Sequence, residues 1–246
     1  MPHEQMNASQ VATYLAMDMR EVIKMASRDQ IPCQKIGGDK APRDRYRFVK
    51  SDIDHWVENQ VHTLDRERLS GISKGVSDHH GLDSEGMILC PHIPDGGLDV
   101  PMHARTREAT IRELVDVADR AGMIYLRSEL IEEIREREDM CSTALIPGVA
   151  MPHPRHPVEY DIADSFVVVG LTHSGIPFGA PDGSLTRLFF LVCCKDERTH
   201  LHLLARLAQM LHTPGVMDEL LHADNPEELM DALKKCEEQI VRDENK

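Results

Sequence analysis

The sequence predicts an α/β sandwich in its larger, C-terminal part and a small domain of helices and a hairpin in its N-terminal part. Two continuous apolar runs, residues 166–171 and 188–194, are typical of strands that helices cover on both faces. Amphipathic helical patterns precede and follow these runs. The formal charge also differs between two parts, because residues 1–62 are neutral and residues 63–246 carry the whole net charge of −14. We therefore expect two domains of different electrostatic character.

Length and composition are typical of a globular chain. With 246 residues, of which 41% are hydrophobic, the chain can bury a sizeable core, which excludes disorder over most of its length. Its longest apolar run, residues 188–194, is far shorter than the roughly 20 residues that cross a bilayer, and residues 1–10 lack a signal-peptide pattern. The six cysteines show no C-x-x-C spacing, which favours reduced thiols. We expect a cytoplasmic protein that contacts no membrane.

Glycines mark the expected domain boundaries. Residues 63–99 contain six glycines among serines and aspartates and show little apolar periodicity, a composition typical of a linker. We therefore assign residues 1–62 to the first domain, 63–97 to a flexible linker, 98–237 to the second domain and 238–246 to a tail.

The first domain is predicted to have the order helix, helix, hairpin, helix. Apolar residues recur at helical spacing in residues 11–15 and again in 18–27. Two strand-like segments follow, separated by a Gly37-Gly38 turn, and Ser51 then caps a third helix. The expected strands span residues 32–36 and 45–49.

In the second domain, helical patterns alternate with strand patterns. Thr106 and Ser128 each open an amphipathic helix ahead of the two apolar runs. After these runs, one helix is expected over residues 199–212, and another begins at Asn225-Pro226, where Asn caps the helix and Pro takes its first position. This alternation predicts helices packed on a sheet.

Basic side chains are concentrated in residues 19–50. Nine basic residues stand against four acidic ones there, a local charge of +5 in an otherwise acidic protein. A helix and a hairpin with such charges would present guanidinium and ammonium groups along one surface, able to follow the phosphates of a DNA duplex. The alternative is a small solvated domain whose charges only keep it soluble.

A series of short motifs spans residues 6–60. They are residues 7–15, Ile31-Pro32, Lys35-Ile36-Gly37-Gly38, residues 45–48 and residues 51–56. Together they resemble the excisionase-type winged helix, which is related to the MerR-type domains. The resemblance implies that the second helix enters the major groove and that the wing grips the DNA backbone, although the wing loop is longer here and some members bind protein instead. The residues that it places on DNA are Arg20, Lys24, Arg28, Lys35, Arg43 and Arg45.

Of the fourteen histidines, His153 is the first candidate for chemistry. The histidine clusters lack the second ligand pair of a zinc site, so we expect no metal and no cofactor. His153 follows a short apolar strand and Pro152, so its ring should project from the strand end rather than into the core. A neutral imidazole offers one nitrogen lone pair while a hydrogen bond fixes the other nitrogen, and attack on phosphorus forms a labile phosphoramidate.

Charge compensation for a phosphoryl group has two candidate sources. A helix that begins at Thr199-His200 would offer free backbone N–H groups, the positive end of its dipole and a second imidazole. Arg137 would add a guanidinium group that binds phosphoryl oxygens. The alternatives are that His153 lies in a surface loop, that Arg137 is a solvated charge and that His200 only caps a helix.

The residues around these histidines form a second set of motifs. Residues 137–153 and 199–205 agree in order and spacing with the enzyme IIA component of the bacterial phosphotransferase system, of the fructose, mannitol and nitrogen-regulatory type, which the chain resembles over about residues 98–233. The resemblance implies an enzyme IIA type-2 sandwich, with a mixed sheet flanked by helices. The implied site consists of His153 as the phosphorylated histidine, His200 as the second imidazole, Arg137 as the phosphoryl-binding residue, and Ser142 and Thr143 as structural donors.

The two resemblances together predict a regulatory protein of the phosphotransferase system. A phosphorylated histidine carrier of the HPr or NPr type would load His153, and the added negative charge would alter binding of duplex DNA by the first domain. One alternative is a IIA-like binding module without chemistry, since Ala144, Ile146 and Pro154 stand where the family has glycines or small residues. Another is transport, in which a separate IIB protein takes the phosphoryl group.

Overall fold

The computed structural model describes residues 4–36, 45–60, 66–80, 86–145 and 148–244. The chain divides into two compact units: the first is Met1–Ser84 with Leu204–Gln209, and the second is Glu85–Leu203 with Met210–Lys246. Within the described residues, every helix is too short or too polar to span a membrane.

The first unit contains four helices and a small antiparallel sheet in its described part. Strand β3 lies between β1 and β2. The predicted order of two helices, a hairpin and a third helix is present, and strand β1 and helix α4 are additional. The elements are β1 (Gln5–Met6), α1 (Ala8–Tyr14), α2 (Met19–Ser27), β2 (Gln34–Lys35), β3 (Tyr46–Val49), α3 (Lys50–Gln60) and α4 (Arg66–His80).

Polar caps begin the first two helices. The Asn7 side chain accepts hydrogen bonds from the backbone N–H groups of Ser9 and Gln10, and Gln10 accepts one from the Asn7 backbone, which forms a capping box. Asp18 accepts one from Arg20 N at 2.7 Å. Helix α3 begins one residue before the predicted cap, Ser51, directly where β3 ends.

The predicted hairpin is described only in part, and its first strand is shorter than expected. The strand expected over residues 32–36 is limited to Gln34–Lys35. The Gly37-Gly38 turn and Arg43, which belong to the predicted wing, lie outside the described residues.

Helix α4 corrects the prediction of a flexible linker over residues 63–97. Its glycines permit a close helix contact: a Cβ atom on Gly71 would lie 2.7 Å from Ala16 Cβ, and one on Gly75 would lie 2.4 Å from the Tyr14 carbonyl oxygen. Leu69 and Ile72 of the same helix are buried. The glycines of residues 66–80 therefore serve packing against the α1 region, and not chain flexibility.

The end of the predicted linker is also ordered. Residues 90–92 form a short 3-10 turn. The backbone N–H groups of Ile88, Leu89 and Cys90 donate to the carboxylate of Glu237, which is fully buried. Three donors on one carboxylate compensate its burial, so they hold this segment to the C-terminal helix.

In its described residues, the second unit is built on a mixed sheet with helices, as the resemblance implied, and this sheet has five strands. The strand order is β4-β7-β8-β6-β5, in which β4 and β7, and β6 and β8, are parallel, while β7 and β8, and β5 and β6, are antiparallel. Strand β4 and helix α8 were not predicted. The elements from β4 onward are β4 (Leu98–Met102), α5 (Arg107–Arg120), α6 (Arg127–Met140), β5 (Ala144–Leu145), β6 (Val149–Ala150), β7 (Phe166–Ile176), β8 (Thr186–Cys193), α7 (Glu197–Leu211), α8 (Val216–Leu221) and α9 (Pro226–Glu244). Residues 204–209 of α7 belong to the first unit.

The two central strands are buried on both faces, which confirms the interpretation of the apolar runs. Alternate residues, Phe166 and Val168 on β7 and Phe189 and Leu191 on β8, join a core cluster with helices α5 and α6. The residues between them are buried as well. Successive side chains of a strand point to opposite faces, so a continuous apolar run results.

Helix α9 corrects the prediction of a tail over residues 238–246. The helix continues to Glu244. Leu229, Leu233, Cys236 and Ile240 are all buried, at spacings of four, three and four residues. This apolar stripe lets one helix face pack beyond residue 237, the predicted end of the second domain.

Candidate active site

His153 follows the end of strand β6. Residues 149 and 150 pair with β8, and Val192 N of β8 donates to the Pro152 carbonyl at 3.0 Å, which carries the backbone pairing up to the residue before His153. The His153 side chain is 5% exposed. Pairing with β8 therefore fixes the backbone from which the His153 ring projects.

The two ring nitrogens of His153 have different partners. Nδ1 lies 2.8 Å from the Met151 carbonyl oxygen, which can only accept, so Nδ1 carries the hydrogen. Nε2 accepts a hydrogen bond from Arg137 Nε at 3.1 Å. The ring is therefore the neutral tautomer with its lone pair on Nε2.

Arg137 places a buried positive charge beside that lone pair. It lies in the last turn of α6 and is 6% exposed, and its Nη1 donates to the Cys141 carbonyl at 2.9 Å. No carboxylate of the described residues forms an ion pair with it. An anion that reaches the Nε2 position would meet an uncompensated guanidinium.

His200 lies close to His153, in the first turns of α7. The two ring centroids are 4.9 Å apart, and the ring planes are tilted by 54°. This helix was expected to begin at Thr199-His200, but it begins at Glu197. Asp196 accepts hydrogen bonds from Thr199 N at 3.0 Å and from Thr199 Oγ1 at 2.9 Å. Because His200 N also donates to the Asp196 carbonyl, the predicted free N–H groups at Thr199-His200 are already bonded.

Ser142 and Thr143 bind Glu138. Ser142 Oγ lies 2.6 Å from Glu138 Oε1, Thr143 Oγ1 donates to Oε2 at 2.7 Å, and Thr143 N donates to both carboxylate oxygens at 3.0 and 3.1 Å. The acceptor for these two predicted structural donors is therefore Glu138, the residue that follows Arg137 in the sequence.

No role was predicted for Glu138 from the sequence. Its side chain is 2% exposed, and this burial raises the pKa of its carboxyl above the ordinary value, while the hydrogen bonds from Ser142 and Thr143 oppose the rise. The signal was its spacing, since Leu130, Ile134 and Glu138 recur every four residues on the buried face of α6.

The residues predicted to contact DNA lie in the first unit. Arg20, Lys24 and Arg28 recur every four residues along α2 and its C-cap, and all three side chains are exposed. Lys35 and Arg45 are exposed as well, and Lys35 pairs with Asp29 at 3.1 Å. Arg43 is outside the described residues.

Comparison with protein families relates the second unit to a known group. The model for the "phosphoenolpyruvate-dependent sugar phosphotransferase system, EIIA 2" family matches residues 97–236. The chain is 28% identical over 135 residues to the fructose-specific EIIA component of Haloferax volcanii, covering 54% of this chain and 86% of that one. It is 26% identical over 136 residues to the fructose-specific EIIABC component of Bacillus subtilis, again over 54% of this chain, but it spans only 21% of that protein's length.

Solved structures show the same fold. The nitrogen regulatory protein IIA-Ntr of Neisseria meningitidis superposes with a TM-score of 0.53 at 23% sequence identity, and the match covers 58% of this chain and 97% of that one. The α/β fold with a mixed sheet and helices is therefore that of the type-2 IIA structures.

Proposed function

The chain belongs to the EIIA 2 family of the phosphoenolpyruvate-dependent sugar phosphotransferase system, and from that membership we propose that it accepts a phosphoryl group on Nε2 of His153. The donor is a phosphohistidine carrier protein. The observation that carries the proposal is the hydrogen bonding of the His153 ring, with Nδ1–H on the Met151 carbonyl and the Nε2 lone pair facing Arg137. A nucleophile needs a lone pair that it can direct at the phosphorus, and a phosphoryl acceptor needs positive charge beside it.

The transfer follows from these atoms. The Nε2 lone pair attacks the phosphorus of the carrier's phosphohistidine and forms a P–N bond. The bond between phosphorus and the carrier's imidazole nitrogen breaks, and its electron pair returns to that imidazole. The His153 ring keeps its Nδ1 hydrogen and becomes cationic, and the Met151 carbonyl accepts from it throughout.

Arg137 and His200 stabilise the charge that arrives. The Arg137 guanidinium exchanges a neutral acceptor, Nε2, for the anionic phosphoryl oxygens, so its hydrogen bonds then join two ionised groups. His200, with its ring centroid 4.9 Å from that of His153, provides a second imidazole beside those oxygens. The low exposure of both histidines limits the access of water, which would hydrolyse the phosphoramidate.

A phosphotransfer assay with an isotopic label tests this proposal. We expect wild-type protein incubated with phosphorylated carrier to gain one acid-labile phosphate, and His153→Ala to gain none. The matched control is His156→Ala, because His156 lies on the same segment and is exposed. Absence of label in wild type, or label retained in His153→Ala, would overturn the proposal. Adding a IIB protein to the loaded wild type then tests onward transfer.

A second function is supported by the exposed basic face of α2, and we infer that the first unit binds duplex DNA. Arg20, Lys24 and Arg28 repeat every four residues, so they lie on one side of the helix and can follow a phosphate backbone. Phosphorylation of His153 would then act as the signal that changes DNA affinity, which makes the chain a regulator.

Salt-dependent DNA binding tests the second function. In a fluorescence anisotropy titration with duplex DNA, Lys24→Ala should weaken binding and reduce the slope of log affinity against log salt by about 1. Lys74→Ala is the matched control, because Lys74 is an exposed lysine on α4. A first unit that binds no duplex even at low salt would instead be a protein-docking domain. Repeating the titration with phosphorylated protein tests the coupling.

A further inference from the structure

Residues 141–143 form hydrogen bonds with Arg137 and Met151, the two residues that contact the ring nitrogens of His153. The segment connects α6 to β5. On the Nε2 side, the Cys141 carbonyl accepts from Arg137 Nη1 at 2.9 Å, while Arg137 Nε donates to His153 Nε2 at 3.1 Å. The Cys141 carbonyl thus sets the direction of the guanidinium that faces the reacting nitrogen.

On the Nδ1 side, the same segment acts through Met151. The Thr143 carbonyl accepts from Met151 N at 3.3 Å, and the Met151 carbonyl accepts from His153 Nδ1 at 2.8 Å. Thr143 therefore positions the carbonyl group that selects the ring tautomer.

Glu138 holds the middle of this segment. Its carboxylate receives the Thr143 backbone N–H, the Thr143 hydroxyl and the Ser142 hydroxyl, at distances from 2.6 to 3.1 Å. The carboxylate and Thr143 are both buried. We propose that Glu138 is a positioning residue for phosphoryl transfer, which holds residues 141–143 so that Arg137 and Met151 set the position and tautomer of the His153 ring.

The physical basis is the cost of unbonded groups in a buried site. Without the carboxylate, the N–H and hydroxyl groups of Thr143 lose their acceptor, while the Ser142 hydroxyl keeps the Phe178 carbonyl at 3.1 Å. The segment then moves to give Thr143 water or another partner. A movement of about 1 Å in a reacting group lowers a rate by about a hundredfold. Glu138 never touches the phosphoryl group in this mechanism, so its effect passes only through the His153 ring and Arg137.

The inference rests on the proposed phosphorylation of His153, and three variants test it. Glu138→Ala should be phosphorylated about 10- to 100-fold more slowly than wild type. Glu138→Gln should stay within about threefold, since the amide oxygen still accepts from Thr143 N and the hydroxyl groups can turn to accept from the amide nitrogen. Glu136→Ala is the matched control, because Glu136 is exposed on the same helix.

A second readout uses the unphosphorylated protein. Nitrogen-15 NMR of the imidazoles should show the Nδ1–H tautomer for His153 in wild type and Glu138→Gln, and a mixture of tautomers in Glu138→Ala. This signal does not need a donor. If wild type gains no phosphate while the tautomer depends on Glu138 as stated, the proposed function fails and the positioning network stands. If wild type is phosphorylated and a folded Glu138→Ala shows the wild-type rate and tautomer, the positioning role is overturned.

Thr143→Val keeps the experiment decisive if Glu138→Ala does not fold. This substitution is nearly isosteric, removes only the 2.7 Å hydroxyl bond to Glu138 and leaves the backbone N–H in place. We expect a smaller loss of rate than in Glu138→Ala, with the His153 tautomer again perturbed. A wild-type rate and an unchanged His153 tautomer in a folded Thr143→Val would overturn the inference.

Discussion

Each unit of this chain contains a buried polar cluster, and the two clusters differ in how their charge is balanced. In the first unit, Asp54 accepts from Tyr14 Oη at 2.7 Å and from Lys50 Nζ at 2.6 Å, and Lys50 Nζ also lies 5.1 Å from the centroid of the Tyr14 ring. Both Lys50 and Asp54 are buried. One positive and one negative charge are therefore paired within the cluster.

In the second unit, the buried cation faces a neutral acceptor. Arg137 donates to His153 Nε2 and to the Cys141 carbonyl, and no described carboxylate pairs with it. The nearby Glu138 carboxylate is directed to Ser142 and Thr143 instead.

The comparison shows how to distinguish a structural cluster from a reactive one. A buried ion pair has its partner already, so an arriving anion gains little there, and breaking the pair costs stability. A guanidinium beside a lone pair gains a charged partner when an anion arrives. We therefore expect substitutions in the first cluster to change unfolding and substitutions in the second to change phosphoryl transfer.

Asp54→Ala should have the largest effect, on stability. Removal of one partner leaves Lys50 as a buried unpaired charge, which costs about 3–5 kcal/mol. Denaturant unfolding followed by Trp56 fluorescence reports on the first unit, since Trp56 is the only tryptophan and lies on α3 beside Asp54. Asp52→Ala, which changes an exposed residue on the same helix, should stay within about 0.5 kcal/mol. A loss below about 1 kcal/mol for Asp54→Ala would contradict the structural role of the pair.

Arg137→Met should have the opposite profile. The phosphorylation rate is expected to fall about 10²- to 10³-fold, the loss seen when one electrostatic donor to a transition state is removed. Unfolding should change little, because the substitution also removes the cost of burying a charge that no described carboxylate balances. Arg155→Met is the control, as Arg155 is exposed and lies two residues after His153. Equal rates for the two variants would remove Arg137 from the mechanism.

Gly75→Ala tests whether the first cluster depends on the packing of α4. The new Cβ would lie 2.4 Å from the Tyr14 carbonyl oxygen, so one helix must move, at a cost of about 1–3 kcal/mol. In an uncrowded helix the same substitution would stabilise by about 1 kcal/mol, so the sign decides the question. Trp56 fluorescence again gives the measurement, and a stabilised Gly75→Ala would refute close packing at this position.

Glu138→Gln should show the smallest effect, as a change in pH dependence. The pKa of the Glu138 carboxyl is raised in the folded state, mainly by burial. Protonation therefore favours folding: this contribution is complete below the ordinary glutamate pKa of about 4.3 and is lost as pH rises through the raised folded value. As pH rises, the unfolding free energy of wild type should therefore fall relative to that of Glu138→Gln. A pH-independent difference would contradict this assignment.

Much of the fold followed from local patterns. The buried strands β7 and β8 were found because residues covered on both faces leave a continuous apolar run, and helices α5 and α6 because their apolar residues recur at helical spacing. The candidate site residues His153, His200 and Arg137 came from motif blocks, and their roles in phosphoryl transfer stay predictions.

Other features required the folded chain. The glycines at positions 71 and 75 predict flexibility when read alone, and only the position of the α1 region shows that they permit close packing. Residues 238–246 were expected to form a tail and not to continue helix α9. The buried stripe of this helix extends to Ile240, and it can be recognised only when the core that it packs against is known. Strand β4 was missed because it has only five residues, one of them Pro101, and is defined by its pairing with β7.

Residue types and their spacing were enough to identify which side chains could take part in the chemistry, because periodicity and motif are properties of the chain itself. Which nitrogen of His153 keeps its lone pair was decided by contacts in the folded chain. An imidazole has two equivalent candidates until a carbonyl accepts from one nitrogen and a guanidinium donates to the other, and here those two groups come from Met151 and from helix α6. Met151 is close in sequence, but Arg137 lies 16 residues before His153, and no local pattern contains the distance between their side chains.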